Sequence, residues 1–165
     1  EQGVESTVVD LSGDRPRILR PGPITSAMLR GWAEAPEGVT VAAGPRPSPG
    51  LAPRHYAPRM PLVLSADPEA EAFRRRAAGL RVARLARGRV AELHRDGDRW
   101  VLPNHPAAFA RGLYAALHAI QASDPDCLVV DAPPSGPAWE AVRDRLRRAA
   151  HPASPSEPNH PQEQP

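Results

Sequence analysis

The residues best equipped for chemistry lie together in a proline-rich stretch at positions 48–58. Arg54, His55 and Tyr56 follow Pro53 directly and supply a guanidinium, an imidazole and a phenol. Proline fixes φ, removes a backbone donor and pushes the preceding residue toward extended geometry, so the stretch is predicted to be extended and semi-rigid. A strap of this kind can lie across a binding pocket. The alternative is a spacer whose polar side chains have no role.

The composition sets limits on the rest of the chain. It has 165 residues, of which 41% are hydrophobic and 24% charged, enough for one small domain with flanking segments. All 21 cationic residues are arginine and the net charge is only +2, so charge does not support nucleic-acid binding. Arginines alternating with acidic residues on predicted helices indicate solvated faces. The single Cys127 excludes a disulfide framework and a multi-cysteine metal site.

Membrane-spanning and secretory segments in a sequence indicate the cellular location of a protein. No apolar run approaches the ~18 residues that span a membrane, and no secretory signal is visible, so a cytoplasmic protein is expected.

The apolar periodicity and the capping residues predict the elements in chain order. The first part has strands at 4–11 and 17–20, a helix from Thr25 to about Trp32, and a linker. The second part has a strand at 61–66, a helix at 68–78 between Asp67 and Gly79, strands at 81–85, 89–93 and 100–102, a helix at 106–122 capped by Asn104 or His105, a strand at 127–130 and a helix from Pro137.

This alternation of short apolar strands with helices predicts a small, doubly wound α/β domain with a mainly parallel sheet over residues 61–150. Residues 1–33 are predicted to be a β-rich segment, 34–60 an extended linker and 151–165 a disordered tail. The loop at 131–136 lies after a strand and before a helix, where open α/β sheets bind ligands. An ordinary connection is the favoured interpretation, because every fold of this class has loops of this kind.

Three motifs occur in order along the chain, and together they resemble a known family. They are Gly-Val-Glu-Ser-Thr-Val-Val-Asp-Leu at 3–11, Ile-Leu-Arg-Pro-Gly-Pro-Ile-Thr at 18–25, and the strap at 48–58 followed by Pro-Leu at 61–62. They resemble the two-domain form of threonylcarbamoyl-AMP synthase, in which a linker joins a YrdC-like catalytic domain to a Rossmann-like C-terminal domain. The resemblance implies that residues 1–33 are the end of the catalytic domain.

The resemblance also implies substrates and residue roles. The family makes threonylcarbamoyl-AMP and pyrophosphate from L-threonine, bicarbonate and ATP, for threonylcarbamoyladenosine in tRNA, and Mg²⁺ is expected to help pyrophosphate leave. Ser6 matches the position that contacts L-threonine, and Arg20 and Tyr56 match positions that contact ATP. Arg54 and His55 match supporting positions of the linker. No catalytic or metal-binding residue is assigned. Partners implied are the N-terminal catalytic domain and other proteins of tRNA threonylcarbamoylation.

The chain departs from the family pattern in several places. Ala52 and Pro53 stand where the family strap has a polar and an aromatic residue, which puts some strap contacts in doubt. The Lys-x-Arg motif that grips the triphosphate, and the Ser-x-Asn element, are both missing and are expected upstream of Glu1. We therefore expect a fragment that is inactive alone. The alternatives are a non-catalytic α/β module that clamps the strap over a partner catalytic domain, and an unrelated α/β binding domain.

Overall fold

The computed structural model describes residues 5–34 and 58–150, which form one small and one larger β-sheet. In the small sheet, strand β1 (Val8–Asp10) pairs antiparallel with β2 (Arg17–Arg20), and the register shifts between Val8 and Val9. The first strand is therefore shorter than predicted. The chain then continues as a series of turns up to residue 34.

The helix predicted from Thr25 to Trp32 is wrong. The Thr25 carbonyl accepts from the backbone of both Met28 and Leu29, but no α-helix is formed between 25 and 34. Gly31 has a φ of +83°, which interrupts a right-handed helix. So short a segment has too few residues to offset the cost of helix nucleation.

The larger unit begins at the end of the linker and alternates strands with helices. Its elements are β3 (Leu62–Ser65), α1 (Pro68–Ala77), β4 (Val82–Gly88), β5 (His94–Asp96), β6 (Arg99–Pro103), α2 (Pro106–Ala122), β7 (Cys127–Asp131) and α3 (Glu140–Ala150), the last preceded by a 3-10 turn at Pro137–Trp139.

The five strands lie in the order β3-β7-β4-β6-β5, and all neighbours are parallel except the antiparallel pair β5 and β6. The mainly parallel α/β fold is confirmed. The strand predicted at 89–93 is wrong, because β4 continues to Gly88 and the next strand begins only at His94. Residues 89–93 instead carry the chain to the sheet edge, where a turn at Gly97, with a φ of +59°, starts the return along β6.

The sheet is covered on both faces, as a doubly wound fold requires. On one face, Ala72 of α1 packs with Val82, Cys127 and Val129. On the other, α2 and α3 pack against the alternate residues Leu128 and Val130. This second face carries the main hydrophobic core. The apolar cluster between the sheet and α1, on the opposite face, is much smaller.

Several helix boundaries follow the expected chemistry. The Asp67 side chain accepts from the backbone of Ala70 at 3.1 Å, and Gly79 follows α1 with a φ of +86°. His105 precedes α2 without a side-chain capping bond. In the parts of the chain that the structure describes, no helix is both long and apolar enough to cross a membrane.

Three predictions fall on residues outside the described ranges. They are most of the linker at 34–60, its side chains Arg54, His55 and Tyr56, and the tail at 151–165.

Candidate functional site

The structure brings two of the predicted site residues together. Arg20 ends strand β2, and antiparallel pairing sets it opposite Val8, two residues after Ser6. The Nε of Arg20 donates to the backbone carbonyl of Ser6 at 3.2 Å. Ser6 is exposed, whereas Arg20 is only 8% exposed. The backbone of an exposed serine is therefore bonded to a guanidinium that is mostly enclosed by protein.

Gly22 allows the chain after Arg20 to approach the chain around Ser6. A Cβ at Gly22 would lie 2.3 Å from the Thr7 nitrogen and 2.6 Å from the Ser6 carbonyl carbon. The Thr7 hydroxyl also donates to the Ile24 carbonyl at 2.7 Å. The turn at 21–24 is thus packed directly against residues 5–7, and only glycine fits at position 22 without displacement.

Helix α3 of the larger unit lies against this pair of segments. Arg145 donates from Nε to Glu5 at 2.7 Å, and from a terminal nitrogen to the Pro21 carbonyl at 3.4 Å. Its other terminal nitrogen lies 2.5 Å from Asp144, which also accepts from Arg148 at 2.9 Å. The Arg145 side chain is only 6% exposed. Alternating charges therefore form a largely buried network across the contact.

A second set of bonds joins residues 5–34 to the same layer. The Ser26 hydroxyl donates to Glu140 of α3 at 2.5 Å, and the Ser26 backbone nitrogen bonds to the other carboxylate oxygen. The Tyr114 hydroxyl of α2 contacts Glu5 at 3.4 Å. The small sheet and the turns that follow it are therefore anchored on α2 and α3 at two separate places.

The charges of this network reinforce one another. Partial burial alone would raise the pKa of Glu5, but a backbone hydrogen bond and the Arg145 guanidinium lower it more. Burial alone would lower the pKa of Arg145, but the carboxylates of Glu5 and Asp144 have the larger, opposite effect. The pKa of Arg145 therefore lies above its usual value. Glu5 is held ionised and Arg145 is held protonated, so the ion pair persists over the whole neutral range.

The exposed hydroxyl and the enclosed guanidinium suit an anionic ligand. Among residues 5–34 and 58–150, the terminal nitrogens of Arg20 have no hydrogen-bond partner, so they are available to a carboxylate or phosphate. In the same residues, no three side chains of the types His, Cys, Asp and Glu come together as metal ligands. The arrangement offers hydrogen-bond donors to an anion.

The loop at 131–136, the other ligand site considered from the sequence, is held by arginines. Arg87 donates from its backbone to Asp131 and from a terminal nitrogen to the Ala132 carbonyl, at 3.4 and 3.2 Å. Arg143 donates to the Gly136 carbonyl at 2.8 Å and also bonds to Pro134. These bonds hold the loop in place between β7 and the turn that precedes the last helix.

Sequence reasoning missed Glu5, Asp144, Arg145 and the Ser26–Glu140 contact. The alternation of arginines and acidic residues predicts a solvated face for the last helix, but Asp144 and Arg145 are both buried. One local signal was present, since Arg145 lies three residues after Val142 and next to Leu146, on the apolar side of the helix.

Comparisons with known proteins agree with this fold. A family model described as "Threonylcarbamoyl-AMP synthase, C-terminal domain" matches residues 24–151. The chain is 30% identical to threonylcarbamoyl-AMP synthase of Bacillus subtilis (strain 168) over 163 residues, covering 90% of this chain and 45% of that protein. The chain thus spans less than half the length of this relative.

Solved structures show the same likeness. The crystal structure of P. abyssi Sua5 complexed with L-threonine matches with a TM-score of 0.70 and 26% identity, over 89% of this chain and 46% of that one. A doubly substituted variant of P. abyssi Sua5 matches with a TM-score of 0.61 and 25% identity, over 90% and 45% of the two chains. Both structures resemble this chain across residues on either side of the strap.

Proposed function

Since the chain belongs to the threonylcarbamoyl-AMP synthase C-terminal domain family, we propose that it is the C-terminal portion of an L-threonylcarbamoyladenylate synthase. Such an enzyme is a nucleotidyltransferase that forms threonylcarbamoyl-AMP and pyrophosphate from L-threonine, bicarbonate and ATP. Its product would serve the threonylcarbamoyladenosine modification of tRNA. The N-terminal catalytic domain, which relatives of twice this length include, would supply the rest of the nucleotide pocket.

The observation that best supports this proposal is the pairing of Ser6 with Arg20. Two motifs that lie 14 residues apart meet through the bond from Arg20 Nε to the Ser6 carbonyl. The Ser6 hydroxyl would bind the carboxylate or amino group of L-threonine. The terminal nitrogens of Arg20 would bind a phosphate of ATP, because a guanidinium makes strong, paired hydrogen bonds to phosphate oxygens.

The remaining assignments fall on the linker. Tyr56 would contact the nucleotide with its phenol, and Arg54 and His55 would support the strap around it. Catalysis would depend on positioning the substrates and neutralising phosphate charge, since the carboxylate next to Ser6 in the chain, that of Glu5, is paired with Arg145. Any Mg²⁺ would be bound mainly through oxygens of the triphosphate.

The larger α/β unit would act mainly as a support. A role as a non-catalytic module that clamps a catalytic domain is favoured by the buried contacts between α3 and residues 5–21. This role is compatible with synthase membership, because the clamp would hold part of the active site itself. The chain alone would lack most of the pocket and would not release pyrophosphate.

The test is ATP binding and pyrophosphate release by a protein that carries this chain together with its catalytic domain. Arg20→Gln and Tyr56→Phe should each weaken ATP binding at least about tenfold, equal to 1.4 kcal/mol. Arg17→Gln, in the same strand but exposed, is the matched control and should leave ATP binding unchanged. Equal ATP affinity in all three variants would reject the proposed ATP site.

A further inference from the structure

We propose that Arg145 of the C-terminal unit is a positioning residue that sets the geometry of the substrate site formed by Ser6 and Arg20. This inference rests on the proposed function, since it concerns the site assigned there. It extends that function, because it gives the α/β unit a direct role in substrate binding that does not pass through the linker.

The position of its contacts carries the argument. Arg145 bonds to Glu5, the residue directly before Ser6, and to the carbonyl of Pro21, the residue directly after Arg20. A single guanidinium thus holds the immediate neighbours of both proposed ligand-binding residues. Because Arg20 also bonds to the Ser6 carbonyl, the two segments and the helix form a closed set of contacts.

The guanidinium is itself held in place. Asp144 lies 2.5 Å from one terminal nitrogen of Arg145, and Asp144 is bonded in turn to Arg148. With the Arg145 side chain only 6% exposed, these bonds lie in surroundings that screen charge poorly. A buried, planar guanidinium with three fixed partners has little freedom to move, so it transmits the position of α3 to residues 5 and 21.

Lysine cannot replace this arrangement. Its single ammonium carries the same charge, but it cannot reach Glu5, Asp144 and the Pro21 carbonyl with the fork geometry of arginine. If Arg145 acted only through its charge, Arg145→Lys would keep the wild-type KM for L-threonine. If Arg145 positions the two segments, Arg145→Lys should keep only part of the effect.

The first experiment measures L-threonine kinetics in the protein that carries the catalytic domain, with Arg145→Gln, Arg145→Lys and the exposed control Arg147→Gln. We expect Arg145→Gln to raise the KM for L-threonine about tenfold with kcat changed less than twofold. Arg145→Lys should fall between Arg145→Gln and the wild type, and Arg147→Gln should match the wild type. A KM for L-threonine that stays at the wild-type value in Arg145→Gln, or full restoration by lysine, overturns the inference.

The second experiment uses the chain itself and does not depend on activity. Amide hydrogen exchange of residues 5–7 and of Arg20, Gly22 and Ile24 should become at least about tenfold faster in Arg145→Gln than in Arg147→Gln, while strand β7 keeps its protection. Unchanged exchange in the two segments overturns the inference. If Arg145→Gln does not fold, Glu5→Gln is used instead, because it leaves the bond between Arg145 and Asp144 in place. It should show the same faster amide exchange in the two segments.

The two experiments separate the possible failures. If the wild-type protein shows no L-threonine-dependent pyrophosphate release, the proposed function fails, and the exchange measurement still decides whether Arg145 holds the two segments. If release is normal and L-threonine KM is insensitive to Arg145→Gln, the proposed function stands and the positioning role is rejected.

Discussion

Gly22 and Thr7 approach so closely that a Cβ on Gly22 would lie 2.3 Å from the Thr7 backbone nitrogen. Real Cβ atoms do not lie this close to backbone atoms, so a side chain at position 22 must push apart the two segments that carry Ser6 and Arg20. The bond between Arg20 and the Ser6 carbonyl depends on the same approach.

We therefore expect Gly22→Ala to destabilise the chain by about 1–3 kcal/mol, the usual range when extra atoms are forced into a packed contact. Gly13→Ala is the matched control, since the nearest atom to its Cβ would be 3.9 Å away. Urea unfolding of the two variants measures the difference. Equal stability in both would show that the approach of 21–24 to residues 5–7 is looser than described.

The ion pair between Glu5 and Arg145 predicts a pH dependence. Because the folded state lowers the pKa of Glu5 from 4.5, the carboxylate contributes stability above that pH and loses it as the pH falls through its lower folded value. The difference in unfolding free energy between the wild type and Glu5→Gln should be constant above pH 4.5 and should shrink below it. Urea titrations at a series of pH values would measure this, and a difference that grows on acidification would contradict it.

The Ser26–Glu140 contact predicts a local effect near the end of the described N-terminal segment. Ser26→Ala removes the hydroxyl bond to Glu140 and should cost about 1 kcal/mol of stability. Exchange of amides in 25–33 should speed up, because this bond anchors the turns on α3. Ser135→Ala, an exposed serine near the same helix, should change neither quantity.

The main core offers a comparison between two phenylalanines. Phe109 is fully buried, with its ring centroid 5.5 Å from that of Trp139, whereas Phe73 on α1 is 72% exposed. Phe109→Ala should lower the free energy of unfolding by about 3–5 kcal/mol. Phe73→Ala should stay within about 0.5 kcal/mol of the wild type, as surface substitutions usually do. Thermal or urea unfolding measures both, and a large loss in Phe73→Ala would indicate a contact that covers α1.

Local signals were sufficient for most of the larger unit. Continuous apolar runs predicted the buried strands, and Asp67 and Gly79 marked the ends of α1, because a capping carboxylate and a residue with positive φ act within one helical turn. The predictions failed where a boundary depended on position in the sheet. Residues 89–93 are not a strand, because the chain uses them to reach the sheet edge.

By itself, the sequence determined the alternation of strands and helices in the larger unit, except for the strand placed at 89–93. It also determined the doubly wound α/β class and the motifs that contain Ser6 and Arg20, since each depends on neighbouring residues and on a periodic apolar pattern. Only the tertiary structure decided that Ser6 meets Arg20, and that Arg145 holds both of their neighbours. Glu5 and Arg145 are 140 residues apart. An arginine on a helix has the same local pattern whether it faces water or a buried carboxylate, and the packing of α3 against residues 5–21 makes that choice.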